Sequence, residues 1–71
     1  MTARFNDGPR FGTELEITTA TPKIIYPQLN GYWLNPMTGR VEPKFDQVVY
    51  VHRATTSDGV AEYEFKEVVY A

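Results

Sequence analysis

Val48-Val49-Tyr50-Val51-His52-Arg53, the turn Thr55-Thr56-Ser57-Asp58-Gly59, and then Val60-Ala61-Glu62-Tyr63-Glu64-Phe65-Lys66 form the stretch that decides the fold class. Its first part is dominated by β-branched and aromatic residues, which suit a pleated, half-buried surface. In its last part Ala61, Tyr63 and Phe65 alternate with Glu62, Glu64 and Lys66, a period of two that turns one set inward and the other to water. The residues between are turn formers closed by Gly59, as a four- or five-residue hairpin loop on a type I turn requires. The reading is an antiparallel hairpin, Val48–Arg53 against Val60–Tyr70. The alternation breaks at Val68-Val69, which predicts a bulge or a crossing to another sheet face.

Working toward the N-terminus, Asn35-Pro36-Met37-Thr38-Gly39 repeats the same turn plan between Trp33-Leu34 and Arg40-Val41, with Pro36 pre-setting the φ that a type I turn needs. Glu42-Pro43-Lys44-Phe45-Asp46 shows no ladder pattern and reads as a connection. Lys23 to Leu29 is a strand centred on Ile24-Ile25-Tyr26, and Pro27 makes it an edge or a bulged strand. Asn30-Gly31 accepts positive φ at both positions and predicts a tight hairpin pairing Ile25–Leu29 with Tyr32–Leu34. Thr13 to Thr21 reads as the first strand, with Leu15 and Ile17 inward, Glu14 and Glu16 outward, and Pro22 as its end. Asn6-Asp7-Gly8-Pro9 is turn chemistry, so residues 1–12 are expected to form an irregular N-terminal arm and residues 13–71 a single small β domain. No stretch of ten residues has the spacing of an amphipathic helix.

The expected architecture is all-β: a small, strongly curved antiparallel sheet or SH3-like barrel of five to six short strands joined by hairpins. An open sheet completed by dimerisation is the alternative.

A chain of 71 residues buries a modest share of its surface, and small chains usually add a disulfide, a metal or a partner. There is no cysteine and only one histidine, His52, so neither a disulfide nor a structural zinc site is expected. Five Tyr, four Phe and one Trp supply aromatic packing, contact surface, or both. The net charge of -2 is not that of a polyanion-binding chain. From Ala54 onward one base, Lys66, faces Asp58, Glu62, Glu64 and Glu67, which gives the last strand an acidic, solvated face. No apolar run approaches the ~20 residues that span a bilayer, and the N-terminus lacks the apolar core of a signal peptide. A cytoplasmic location without membrane contact is expected.

No constellation points to catalysis. Ser57, His52 and Asp58 would have to meet from opposite ends of one hairpin arm. Glu14 with Glu16, and Glu62 with Glu64, are neighbours on a strand face roughly 7 Å apart, a spacing exposed strands produce routinely. Gly8, Gly12, Gly31, Gly39 and Gly59 stand singly, without a phosphate-binding pattern. The expectation is a non-enzyme with no cofactor and no metal. His52 is read as an ordinary strand position, paired across the sheet with Glu62 or Glu64.

What remains is surface chemistry. Tyr32-Trp33-Leu34-Asn35-Pro36-Met37-Thr38-Gly39-Arg40 gathers residue types enriched at interface cores, and Met37 at a loop tip suits packing on a partner. The candidate partner-binding residues are Tyr32, Trp33, Met37, Arg40, Lys44 and Phe45. Trp33 itself is either a core residue of a small barrel or part of that interface. The functional expectation is a small adaptor or inhibitor, a class that includes phage-encoded blockers of host enzymes, occluding another protein through the aromatic hairpin. The alternatives are a nucleic-acid-binding β-barrel, with Tyr32 and Tyr50 stacking bases beside Arg40, Lys44 and Arg53, and a self-assembling structural subunit, hence a homo-oligomer.

Overall fold

The computed structural model describes residues 1–70 and holds one five-stranded sheet, curled into a half-barrel. Strands β1 (Thr2–Phe5), β2 (Glu14–Glu16), β3 (Lys23–Asn35), β4 (Arg40–Thr55) and β5 (Val60–Val69) lie in the order β2-β1-β5-β4-β3. The all-β, strongly curved sheet read from the sequence is the fold found. It stays open between its two edge strands, β2 and β3.

The β4–β5 hairpin forms as the alternation dictates, from Gln47 opposite Val69 to Thr55 opposite Ala61. Its turn is closed by the Thr56 N–H donating to the Val60 carbonyl at 2.8 Å and the Gly59 N–H to the Thr56 carbonyl at 3.0 Å. Two register shifts bend the hairpin. One extra residue, Lys66, sits on β5 opposite Val49-Tyr50, and another, Arg53, sits on β4 between His52 and Ala54. Val68 thereby turns inward opposite Val48, while Val69 turns outward.

Three expectations are corrected. First, Asn30-Gly31 is not a hairpin turn. β3 runs straight through it, pairing Leu29 with Phe45 and Tyr32 with Pro43, so two residues oppose Lys44 alone and form a β-bulge. Gly31 supplies the positive φ of 94°, and the Asn30 amide donates to Asp46 Oδ1 at 3.2 Å. Second, residues 42–46 are not an unpaired connection but the middle of β4, laddered to Leu29–Trp33. β3 and β4 are therefore long, 13 and 16 residues, not short. Pro27 and Pro43 interrupt neither strand. Each sits where one side of its strand has no partner among the described residues, so its nitrogen can face that side without loss of a ladder bond.

Third, residues 1–12 are not wholly irregular. Thr2-Ala3-Arg4-Phe5 forms β1, antiparallel to β2 and parallel to β5, so the sheet is mixed where an antiparallel one was expected. Burial explains the order: Ala3 and Phe5 are inward residues of the core. The strand read over Thr13 to Thr21 shrinks to β2. Leu15 stays half exposed at the sheet edge, while Ile17 packs on the core.

The core is small and aromatic. Phe5, Val48, Tyr50, Ala61 and Tyr63 are buried with Ala3, and Ile24, Tyr26, Phe65 and Val68 pack around them. Phe5 meets the Tyr50 ring edge-on at 4.5 Å between centroids. The one-turn 3-10 helix Gly8–Arg10 closes over this cluster. The Tyr50 hydroxyl donates to the Asp7 carbonyl at 2.7 Å and accepts the Arg10 N–H at 2.9 Å. Asp7 Oδ1 accepts the Phe65 N–H at 2.7 Å.

β5 pairs with β4 no further than Gln47. Beyond that level Leu29–Asn35 and Arg40–Phe45 continue as a two-stranded arm, and the molecule measures 52 × 20 × 18 Å.

Candidate interaction surface

Register decides which side chains share a face of the arm. Residues directly opposite one another in a ladder point the same way. Leu29 faces Phe45, Tyr32 faces Pro43 and Leu34 faces Val41. These six lie on one side, which continues onto the outer surface of the sheet through Ile25 and Val69. On the other side, continuous with the core surface, Trp33 faces Glu42 and Asn35 faces Arg40, with Lys44 opposite the bulge.

The candidate residues are thus divided. Tyr32 and Phe45 belong to the outer face, Trp33, Arg40 and Lys44 to the inner face, and Met37 to the tip, where it is 91% exposed. Trp33 is 46% exposed and lies outside the core. The tip is shaped by local hydrogen bonds: Asn35 Oδ1 accepts the Met37 N–H at 2.9 Å, and the Gly39 N–H donates to the Asn35 carbonyl at 2.8 Å. On the inner face the Asn35 amide donates to Glu42 Oε2 at 3.2 Å.

Four outer-face residues absent from the candidate set, Ile25, Leu29, Leu34 and Val41, are each half or more exposed. A period-two signal for them exists in the sequence, Ile25-Pro27-Leu29 followed by Tyr32-Leu34. It is visible only once the strand is read through Asn30-Gly31 with a one-residue reset. Seven of the thirteen large apolar residues left exposed lie on the arm, which makes it the apolar part of the surface.

The residues considered for base stacking are not brought together. Tyr50 is fully buried, Tyr32 lies on the face opposite Lys44, and Arg53 sits in a bulge, paired with Glu64 at 3.5 Å. Glu14 and Glu16 are occupied in ordinary cross-strand contacts, Glu14 with Arg4 at 3.3 Å and Glu16 accepting the Thr2 hydroxyl at 2.8 Å. His52 faces Tyr63 rather than a glutamate, and its Nε2 lies 2.9 Å from Thr55 Oγ1. A concavity follows the open seam between β2 and β3. Phe5, Leu15, Ile24 and Tyr26 line it, and the Arg10 guanidinium lies 4.4 Å over the Tyr26 ring.

Among the described residues no helix is long and apolar enough to cross a membrane. Compared with protein-family models, curated proteins and solved structures, the chain matches none.

Proposed function

We propose that the protein is a non-catalytic protein-binding module of the cytoplasm, an adaptor or inhibitor that works by covering a surface of its partner with the arm. The concentration of exposed apolar side chains on a two-stranded projection supports this reading. An isolated two-stranded ribbon is marginally stable in water, and large aromatic, Met and Arg side chains are the types that anchor interfaces. The inner face and tip offer a mixed contact: Trp33 and Met37 as anchors, with Arg40 and Lys44 as the polar rim.

Capture from a nuclease-treated extract, washed at high salt, tests the reading with Trp33→Ala and Met37→Glu beside the parent chain. Both sites are exposed, so both variants keep the fold. Loss of an anchor of this kind weakens binding by about 2 kcal/mol or more, roughly thirtyfold. The expected result is a specific protein retained by the parent chain and lost from both variants. A retained protein indifferent to both substitutions, or material that disappears with nuclease, would count against it.

A further inference from the structure

The outer face of the arm differs in kind from the inner one. Leu29, Tyr32, Leu34, Val41, Pro43 and Phe45 carry no charge among them, and all but Pro43 are large apolar side chains about half exposed or more. Ile25 and Val69 extend the stripe onto the body of the sheet. We propose that this face is the interface for a second copy of the same chain, two arms stacking face to face about a two-fold axis. This goes beyond the partner reading above, which uses the opposite face and the tip.

Size supports a second copy. Tyr32 and Phe45, each with on the order of 150–250 Å² to bury, and five smaller aliphatic side chains, all about half exposed, make an apolar patch of roughly 600–700 Å². The largest patch on a monomer is usually about 300–600 Å², and a standard stable interface takes about 800 Å² from each partner. Chemistry supports it too. The six arm positions carry no charge and offer nothing to select an acidic or basic partner, nucleic acid included, whereas homodimer interfaces are the more apolar class; the first charge on this face is Glu67, on the body opposite Val49. Glu67 sits at the body end of the stripe, so self-pairing about a two-fold at the arm's centre keeps the two copies' carboxylates apart. Each arm supplies the layer the other lacks, since a sheet buries its apolar face against another element spaced about 10 Å away.

The register fixes the centre of the contact. Phe45 and Tyr32 lie midway along the stripe, so the two-fold passes near them, with Ile25 toward one end and Leu34 and Val41 toward the other. Such a contact is isologous and closes at two subunits. It leaves Trp33, Arg40 and Lys44 of both copies facing outward.

Sedimentation of the purified full chain over a concentration series from low micromolar to millimolar tests this. The expected result is a mass rising from that of the 8.1 kDa chain to twice that value and no further. Leu34→Glu and Val41→Glu, made separately, are each expected to raise the dissociation constant at least tenfold by placing a carboxylate in an apolar contact. Trp33→Ala is expected to leave it unchanged. Leu34 and Val41 are 63% and 68% exposed, so both variants fold, as far-UV circular dichroism would show. A parent chain that stays at 8.1 kDa throughout overturns the proposal. So do open-ended larger assemblies, or dimers indifferent to both glutamates. The inner-face reading stands or falls separately, on capture with Trp33→Ala and Met37→Glu.

Discussion

Tyr50 joins the two ends of the chain. Its ring is buried against Phe5, Tyr26 and Phe65, while its hydroxyl holds the Asp7 carbonyl and the Arg10 N–H. Tyr50→Phe keeps the packing and strands these two backbone groups. A loss of about 1–3 kcal/mol in chemical denaturation is expected. Burial pushes the Tyr50 phenol above its ordinary value of 10.0, and the nearby Tyr26 and Asp7 act in the same direction. The unfolded chain's phenol therefore ionises first. The stabilisation is whole below pH 10 and is lost as pH rises through the folded value. The denaturation midpoint is expected to fall in alkali, and less steeply in Tyr50→Phe. Gly8 is the neighbouring test of close approach. A Cβ there would lie 2.6 Å from Phe65 Cβ and 2.9 Å from the Tyr50 hydroxyl, at a φ of +72°. Gly8→Ala is expected to destabilise by about 3 kcal/mol or more, combining strain with overpacking. Gly31→Ala meets nothing within 4 Å, so only its φ is penalised, about 1 kcal/mol.

Among the elements, the arm is the one that stands without a third strand. Hydrogen exchange read in the monomeric Leu34→Glu variant is expected to show amides of residues 29–45 exchanging at least ~100-fold faster than those of residues 48–52, because local opening of a two-stranded ribbon exposes little buried surface. Equal protection of the two segments would contradict that. The β4–β5 hairpin was legible because its alternation and its turn are both local. Gly31 was legible as a position of positive φ, but Asn30-Gly31 was not legible as a bulge, and Asn30 keeps a negative φ. The hairpin turn asks for positive φ at both residues and the bulge for positive φ at Gly31 alone; the pair accepts either, and the choice is made by Phe45 and Pro43 across the ladder, more than ten residues away. Once the pair is read as a turn, Tyr32 and Trp33 move to another strand and the outer stripe disappears from view. β1 was illegible for a related reason. Four residues carry little periodicity of their own, and their place comes from a parallel partner almost sixty residues on.

At the scale of the molecule, a small aromatic core supports a body from which just over half of β3 and over a third of β4 project. If two arms share their outer faces, folding and association are linked by mass action. The thermal midpoint is then expected to rise by a few degrees for each tenfold increase in protein concentration, about what 1 kcal/mol does for a chain of this size. In Leu34→Glu it is expected to stay flat. The pairing of β1 with β5 also has a consequence in time. Thr2 to Phe5 find their parallel ladder partners, Val60 to Tyr63, almost sixty residues away. That ladder can form only by closing a loop through β2, β3 and β4. Closing so long a loop is slow compared with forming a hairpin. The β3–β4 and β4–β5 ladders join neighbours in sequence, so docking of β1 on β5 is expected to be the slow step, and Ala3→Gly to slow refolding less than it speeds unfolding.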